Sequence, residues 1–520
     1  MKNKIFFLLV FTVVFSVSCE KVLDKQSLTQ LPESEIFANT GNLTLFVNGI
    51  YSALPNGFNR GWYMLDAATS DAENSYAWAS SNIFNRSEQG PSNTPNHDWD
   101  ISFAQIRNCN IVLAGIDALE GDTDIKNRLK GEVFFLRGFY FSEMYKRYGG
   151  VPIITTVLAL NDDFKLPRAT AEETINQIVS DLDAAAALLP AKYSGNNIGR
   201  ATSLAALSLK GRMLLYAEKF PESEAASKAA IDLAAANSYN LHTPYDKVFL
   251  DNNNPEVIFD KQLLAVNFSQ EADLFNMPVG FTGGWGGTSP TQDFVDSYEM
   301  VSTGLPINTA GSGYNANNPY VGRDPRFDMS VLYNGSAWRG RLIDTRVDGI
   351  DNPTGNGDAT KTGYYMRKFM DQSIFPQYQL VTGNQNWILI RLGEVYLNYA
   401  EALLKQERAE DARPWVNKIR ERAGMPDIPA GALTWERYMN ERRVELSFEE
   451  HRFWDVRRWK VAMVTENKPA EGMRITGTVP NFTYTRFVHE ERKFEENDYL
   501  FAIPQGEIDK DPNLQQNPGW

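Results

Sequence analysis

Helical periodicity that runs from about Asp98 to Ala236, stops, and resumes near Trp387 limits this chain to a mainly α architecture carrying one long irregular insert. In the first block Val133, Leu136, Tyr140 and Met144 recur at three- and four-residue steps, which lays one apolar stripe along a helix. Gly149-Gly150 and then Val151-Pro152 close that helix, because glycine takes the cap and the residue before proline avoids the α region. Thr170 with Glu173 three residues on reads as a capping box, and the helix it opens stops at Pro190. In "GRATSLAALSLKGRMLLYAEKF", Ala205, Ala206 and Gly211 are small enough to let a neighbouring helix approach closely. After the insert, Ile388, Leu392, Val395, Tyr399 and Leu403 predict a helix from Trp387, and "ARPWVNKIRERAG" predicts its antiparallel partner ending at Gly424. The last forty residues, rich in proline and asparagine, predict a tail packed over the surface.

The insert, from about Asn237 to Asn386, holds "GGWGGTSPTQ", "GSGYNANNPYVGRDPR" and "DGIDNPTGNGD", turn-rich stretches with no helical period. Loops this long are functional or disordered, and the aromatics and arginines embedded here favour function.

Composition narrows the classes. With 520 residues, 43% hydrophobic, the chain can bury a large core. Its two cysteines are Cys19 and Cys109, so modification of Cys19 leaves no intramolecular disulfide and the fold must rest on burial. A net charge of -14, more negative still once Lys2 and Lys4 are lost with a leader, excludes nucleic-acid binding by bulk electrostatics. Eleven tryptophans suit stacking surfaces, whereas four histidines argue against a histidine-built metal or acid-base centre.

Lys2 and Lys4 precede an apolar stretch from Ile5 to Phe15 and then small residues, the layout of a secretory signal. The stretch is shorter than the roughly 20 residues of a membrane-crossing helix. Cys19, directly after Ser18, resembles the acylated cysteine of a bacterial lipobox. A plain signal peptide cut near Ser18, with Cys19 a bystander, is the other reading.

"LLYAEKFPESEAASKAAI" and "LNYAEALLKQERAEDARPWVNKI" each place Tyr-Ala-Glu, at Tyr216 and Tyr399, near the end of one helix and follow it with a second. They resemble degenerate tetratricopeptide units, whose helix pairs stack because neither buries its apolar face alone. Six further stretches occur in one order: "LRGFYFSEMYKRYGGVPII", "LPRATAEETINQIVSDLDAAAALLP", "RLGEVYLNYAEAL", "VNKIRERAGMP", "ERRVELSFEEHRFWDVRRWK" and "YLFAIPQGEIDKDPNLQQNPGW". Together they resemble the hallmarks of the SusD/RagB family across nearly the whole mature chain. The resemblance implies a surface-exposed outer-membrane lipoprotein of Bacteroidota, anchored through Cys19, that captures oligosaccharides and acts as a lid on a SusC-like TonB-dependent transporter. It implies no enzymatic activity and no cofactor. The expected organisation is a signal peptide over 1–18, a helical part over 19–236, a loop-rich ligand-binding region over 237–386 and a second helical part over 387–520.

Most of the charged hallmarks read as structural. In "ERRVELSFEEHRFWDVRRWK", Glu449 with Arg452 and His451 with Asp455 stand within reach on one ion-paired helix, and no nucleophile is placed to make a relay of His451 and Asp455. Asp344, Asp348, Asp351 and Asp358 lack the spacing of a calcium loop and read as a solvated acidic turn.

Loop aromatics are the candidate ligand contacts. A sugar ring packs its C–H face on an indole while its hydroxyls seek amide, carboxylate or guanidinium partners. "NSYAWASSN" offers Tyr76 and Trp78 between Asn74 and Asn82, "GFTGGWGG" offers Trp285 among unshielding glycines, and "NGSAWRG" offers Trp338 beside Arg339. Tyr314 is a further candidate. Trp99, Trp387, Trp415, Trp454 and Trp459 read as helix-borne core. Two alternatives stand beside glycan binding: a peptide-binding member of the RagB branch, and a surface glycoside hydrolase, which would need two carboxylates across a sugar.

Overall fold

A computed structural model describes residues 33–159, 161–263, 271–374, 383 and 385–520. Cys19 and the leader lie outside the described residues. The main helices are α1 (Thr40–Ser52), α2 (Trp99–Gly115), α3 (Thr123–Tyr148), α4 (Ala171–Leu188), α5 (Ser203–Tyr216), α6 (Phe220–Ala236), α7 (Leu392–Leu404), α8 (Ala409–Ala423), α9 (Trp435–Glu445) and α10 (His451–Arg458). The strands that matter for the site are β1 (Ala72–Asn74), β2 (Val257–Lys261), β3 (Thr288–Pro290), β4 (Trp387–Arg391), β5 (Ala470–Thr478) and β6 (Asn481–Glu490), all paired antiparallel: β1 with β3, β2 with β4, β5 with β6.

Successive helices α3 to α6 pack on one another, and α7 then packs on α5 and α6, so the helices before and after the loop-rich region form one stack. Val133, Leu136, Tyr140 and Met144 are all buried in its core. The capping box of α4 forms as expected, with Thr170 N–H donating to Glu173 Oε2 at 2.8 Å and Glu173 N–H to Thr170 Oγ1 at 3.1 Å. Gly211 lets α5 and α6 touch, because a Cβ there would lie 2.5 Å from Ser227 Oγ.

Three expectations are corrected. Trp387 to Arg391 form strand β4 rather than the start of a helix, since pairing with β2 satisfies their backbone and the helical period begins only at Leu392. Trp387 is core, but strand-borne. "ERRVELSFEEHRFWDVRRWK" is not one helix: Phe448 and Glu450, at φ 61° and 66°, break it between α9 and α10. The final forty residues are not a surface tail alone. They contribute β6, and Phe501 and Ile503 enter the main core, with Phe501 N–H donating to Arg147 O at 2.7 Å.

The charges of the broken helix pair across elements rather than along it. Arg391 of β4 lies 2.7 Å from each of Glu256, Glu445 and Glu449, and Arg422 of α8 pairs with Glu256 and Glu445. Arg326 joins Asp324, Glu441 and Glu445, while Arg420 joins Glu441 and Glu299. Lys368 closes the network on Glu449 at 2.7 Å. All these side chains are buried. Arg452 turns instead to Asp71 and Glu466, and Asp455 is held by Arg442 and Arg458. Burial, with Arg442 and Arg212 beside it, pushes the His451 imidazole well below its ordinary value, and its ring faces Arg442 at 3.5 Å and Glu394 at 3.9 Å while Asp455 is taken by Arg442 and Arg458.

Arg391→Met strands buried carboxylates without their cation and is expected to cost about 3–5 kcal/mol of folding stability, measured by denaturant unfolding; a loss well under that would mean the network is not holding the fold. Burial raises the Glu143 carboxyl, but Lys146 and Arg147 outweigh it and bring it down to about 2. Glu394, Glu401, Glu441, Glu445 and Glu449 are lowered in the same way by their arginines. Each contributes stability that is fully present above the ordinary value of 4.5 and is lost as pH falls through the lowered folded value. The melting temperature is therefore expected to drop steeply between about pH 4.5 and 2, and a flat profile there would contradict the network's ionisation.

Candidate functional site

Strand β1 runs into the loop Ser75–Ser80, and its partner β3 is entered through the glycine-rich loop that carries Trp285. Their register, Ala72 opposite Pro290 to Asn74 opposite Thr288, sets the two loops side by side, and Ser75 N–H donates to Gly287 O at 2.8 Å. A third loop, "NRGWYM", brings Trp62 to the same place. Trp62, Trp78 and Trp285 thus meet from three separate segments; Trp78 and Trp285 are candidate contacts from sequence, and Trp62 is not.

The ring geometry is specific. Trp62 lies 6.1 Å from Trp285 with planes 20° apart, and Tyr76 lies 5.1 Å from Trp78 with planes 6° apart. Trp62 and Trp78 cross at 74° with centres 5.9 Å apart. Phe275 backs both Trp62 and Trp285, at 5.3 and 5.4 Å. Trp78 is 65% exposed and Trp62 46%, while Trp285 is half-buried. The three indoles thus form an open aromatic patch on the folded surface, which makes it the candidate site.

The residues around it hold it rigid. Trp62 has φ 71°, a conformation a bulky side chain rarely adopts, and Asn59 Oδ1 fixes it by accepting the N–H of Gly61 and of Trp62 at 3.0 and 2.6 Å. Asn74 Nδ2 donates to Trp62 O at 3.1 Å, and its Oδ1 accepts from Tyr76 N–H at 2.8 Å. Asn82 donates to Ala77 O at 3.1 Å. Asn74 and Asn82 are therefore engaged in shaping the loop rather than presented to a ligand. Gly286, at φ 66°, allows Asp358 O to approach where a Cβ would sit 2.2 Å away, so this glycine serves close packing as well as leaving Trp285 unshielded. Asp358 itself is exposed, and its charge adds to burial in raising the Tyr76 phenol above its ordinary range.

The other candidates are not open rings of this patch. Tyr76 is buried and serves as the backing of Trp78. Trp338, only 1% exposed, lies in a small core with Met277, Leu332, Ile343, Tyr365 and Met370, because β-pairing of Ala337–Trp338 with Arg341–Leu342 turns the indole inward. The Arg339 side chain is buried too, with Asp273 at 3.2 Å and Asp371 O at 2.8 Å as partners. The structure thus overturns Trp338 and Arg339 as open ligand contacts. Tyr314 is half-buried beneath the Arg323 guanidinium, 5.6 Å from its ring centre, and stands outside the indole cluster's ring contacts. Asp344 and Asp351 are not a solvated turn: Arg346 holds the first, and Arg341 holds the buried second with contacts of 2.6 and 2.7 Å. No group of metal-binding side chains occurs among the described residues. A cleft of about 530 Å³ between Phe103, Phe164 and Leu514 is a separate feature, with charged side chains such as Asp100, Lys165 and Asp511 among the apolar ones that line it.

Trp62 went unpredicted although the signal was present: it follows Gly61 in a turn-rich stretch after Pro55 and Gly57, the criterion that selected Trp285. Phe275 carried no such signal.

Paired, stacked helices bearing a loop-borne aromatic surface define a mainly α scaffold of tetratricopeptide type. The family model described as "SusD family" matches residues 255–520, and the chain belongs to that family. A second model, described as "Starch-binding associating with outer membrane", matches residues 21–215. A SusD-like protein of Bacteroides fragilis has the same fold, with a TM-score of 0.85 and 30% identity over 94% of this chain and 100% of that one. A laminarin-binding SusD-like protein superposes with a TM-score of 0.70 at 20% identity, over 93% of this chain and 100% of that one. SusD-like protein P38 of Formosa agariphila is 24% identical over 93% of this chain and 94% of its own length. No helix among the described residues is long and apolar enough to cross a membrane.

Trp78→Ala is expected to change stability by less than about 1 kcal/mol, as at other exposed positions, whereas Trp338→Ala should cost about 3–5 kcal/mol for the cavity it leaves. Chemical denaturation of both variants checks this; equal losses would mean that Trp78 is structural.

Proposed function

We propose that the chain is a non-enzymatic glycan-binding protein that takes oligosaccharide on the Trp62, Trp78 and Trp285 surface. The observation that carries this is the convergence of three indoles from three loops, two of them exposed at 65% and 46%, on one rigid patch. Sugar C–H faces are matched by such flat, apolar, polarisable rings. The description of the second matching model as starch-binding and the laminarin-binding fold relative agree with the reading. So does a "Surface glycan-binding protein A" of Bacteroides fluxus, which superposes with a TM-score of 0.69 at 24% identity over 92% of this chain and 99% of that one.

In this reading Cys19 is acylated and holds the protein at the outer surface of the outer membrane, where it delivers ligand to a SusC-like TonB-dependent transporter. Energy for uptake comes from the transporter, and the task here is capture. Capture requires only modest affinity and fast release.

A panel of immobilised plant, algal and microbial glycans, read with wild type and with Trp62→Ala, Trp78→Ala and Trp285→Ala, tests the proposal. Wild type is expected to be retained by at least one glycan, and each substitution to weaken that retention about tenfold or more. Retention unchanged in all three variants contradicts the site. Retention of peptides in place of every glycan contradicts the ligand class.

A further inference from the structure

The loop between α4 and α5 crosses the end of β2 and divides one groove into two adjoining cavities. The first, about 280 Å³, lies against the end of α1, where Ser52, Leu54, Asn196 and Lys261 help to line it. The second, about 100 Å³, holds Lys192, Tyr193 and Tyr239, and both share Ile198, Gly199, Arg200 and Asp260. Gly199, at φ 91°, lets the loop close on the strand, since a Cβ there would lie 2.5 Å from Gln262 Cγ. No residue of this groove belongs to the indole patch.

The groove is cationic in a chain whose net charge is -14. Lys261 Nζ donates to Ser52 O at 3.2 Å and to Leu54 O at 2.5 Å, and Lys192 Nζ donates to Asn237 O at 3.2 Å, 4.6 Å from the Tyr239 ring centre. Among the described residues neither lysine reaches a carboxylate, and burial together with Arg60 pushes the Lys261 ammonium below its ordinary value. Arg200 does reach Glu132, at 3.0 Å, but that carboxylate also serves Arg128 at 2.5 Å. Asp260, the acid in the lining, accepts from side-chain amides on both oxygens, Gln262 Nε2 at 2.5 Å and Asn386 Nδ2 at 2.8 Å, and burial raises its carboxyl towards the uncharged form.

A partly buried cation without a counterion is costly, and an anion from outside relieves the cost. Donors for it are at hand. An ammonium has three N–H groups, of which Lys261 commits two, and a guanidinium has five, of which Arg200 commits two, to Asn197 and Glu132. The Tyr193 hydroxyl is shut away from solvent with no hydrogen-bond partner.

We propose that this groove is a second ligand site, which takes an acidic glycan through carboxylate or sulfate groups seated against Lys261, Arg200 and Lys192. That these groups are carried on sugars rests on the glycan reading above; the preference for oxyanions rests on the groove alone. Ile198, exposed on the ridge between the two cavities, offers an apolar contact for the C–H face of a ring. The acidic surface elsewhere repels a polyanion, so the field itself directs such a chain to this groove.

The test pairs polymers that share a backbone and differ in charge: polygalacturonate against its methyl ester, and dextran sulfate against dextran, each titrated calorimetrically into the protein. Wild type is expected to bind the charged member of at least one pair about tenfold or more tighter than the neutral one, and to lose affinity several-fold between about 50 and about 200 mM salt as screening sets in. Lys261→Gln and Lys192→Gln are each expected to weaken that binding about fivefold or more, Lys261→Arg to keep most of it, and Lys228→Gln, on α6 outside the groove, to leave it within about twofold. Unchanged melting temperatures confirm that the variants fold, and Lys192→Gln carries the test if Lys261→Gln does not. The uronate pair and the sulfate pair tell which group is taken. Equal binding of charged and neutral members, or binding that both lysine variants leave unchanged, overturns the inference and leaves the glycan reading standing. Binding of inorganic sulfate alone, with no charged polymer bound, overturns the acidic glycan as ligand. Binding of none of these polymers overturns the inference as well, and the glycan reading falls with it only if the glycan panel above is also blank.

Discussion

Arg391 is the point on which the rest of the structure hangs. Its guanidinium reaches Glu256, Glu445 and Glu449 at once, and so ties strand β4 to the entrance of β2 and to both ends of the break between α9 and α10. Around it Arg326, Arg420, Arg422 and Lys368 extend the same lattice into the loops at Asp324 and Glu299. Arginine suits this task because its planar fork donates in several directions and stays charged when buried. Removing these charges from water is costly, and the arrangement holds only because each carboxylate is met by more than one cation or hydrogen-bond donor.

The lattice explains how a long irregular region can end in an ordered surface. Helices α5, α6 and α7 stack across the insertion, and β2 pairs with β4, so the loop-rich chain leaves and re-enters the scaffold at one clamped place. From that base the Trp285 loop reaches β3 and is aligned against β1, which in turn positions Trp78. Asn59 and Asn74 then fix Trp62 at the meeting point. The indoles are open because the polar groups beside them are engaged in building the loops.

The sequence made the scaffold legible and the surface only partly so. Helices α3 to α6 were readable from apolar spacing, the Thr170 capping box and Pro190, all of them local signals. Trp387 misled because its apolar run continues the helical period of Leu392 and Val395, while the strand that claims it, β2, lies far away in the chain. The pairing of Glu449 with Arg391 rather than Arg452 was hidden for the same reason: charge sign is local, but partner choice is tertiary. Trp338 and Trp78 look alike in sequence, each a loop indole preceded by alanine. They separate only when a two-residue strand pairing turns one inward and the stack on Tyr76 turns the other outward. Family resemblance supplied the fold, and the arrangement of rings supplied the candidate site.

The central claim is that a rigid scaffold displays Trp62, Trp78 and Trp285 to a carbohydrate as one surface. Hydroxyl-radical footprinting with mass spectrometry, run on the full protein with and without a glycan that it retains, measures this directly. The account predicts strong protection of these three indoles on ligand addition, with the buried Trp338 and Trp387 unreactive in both states. Protection centred on another face of the molecule, with the three indoles equally oxidised in both states, would contradict it.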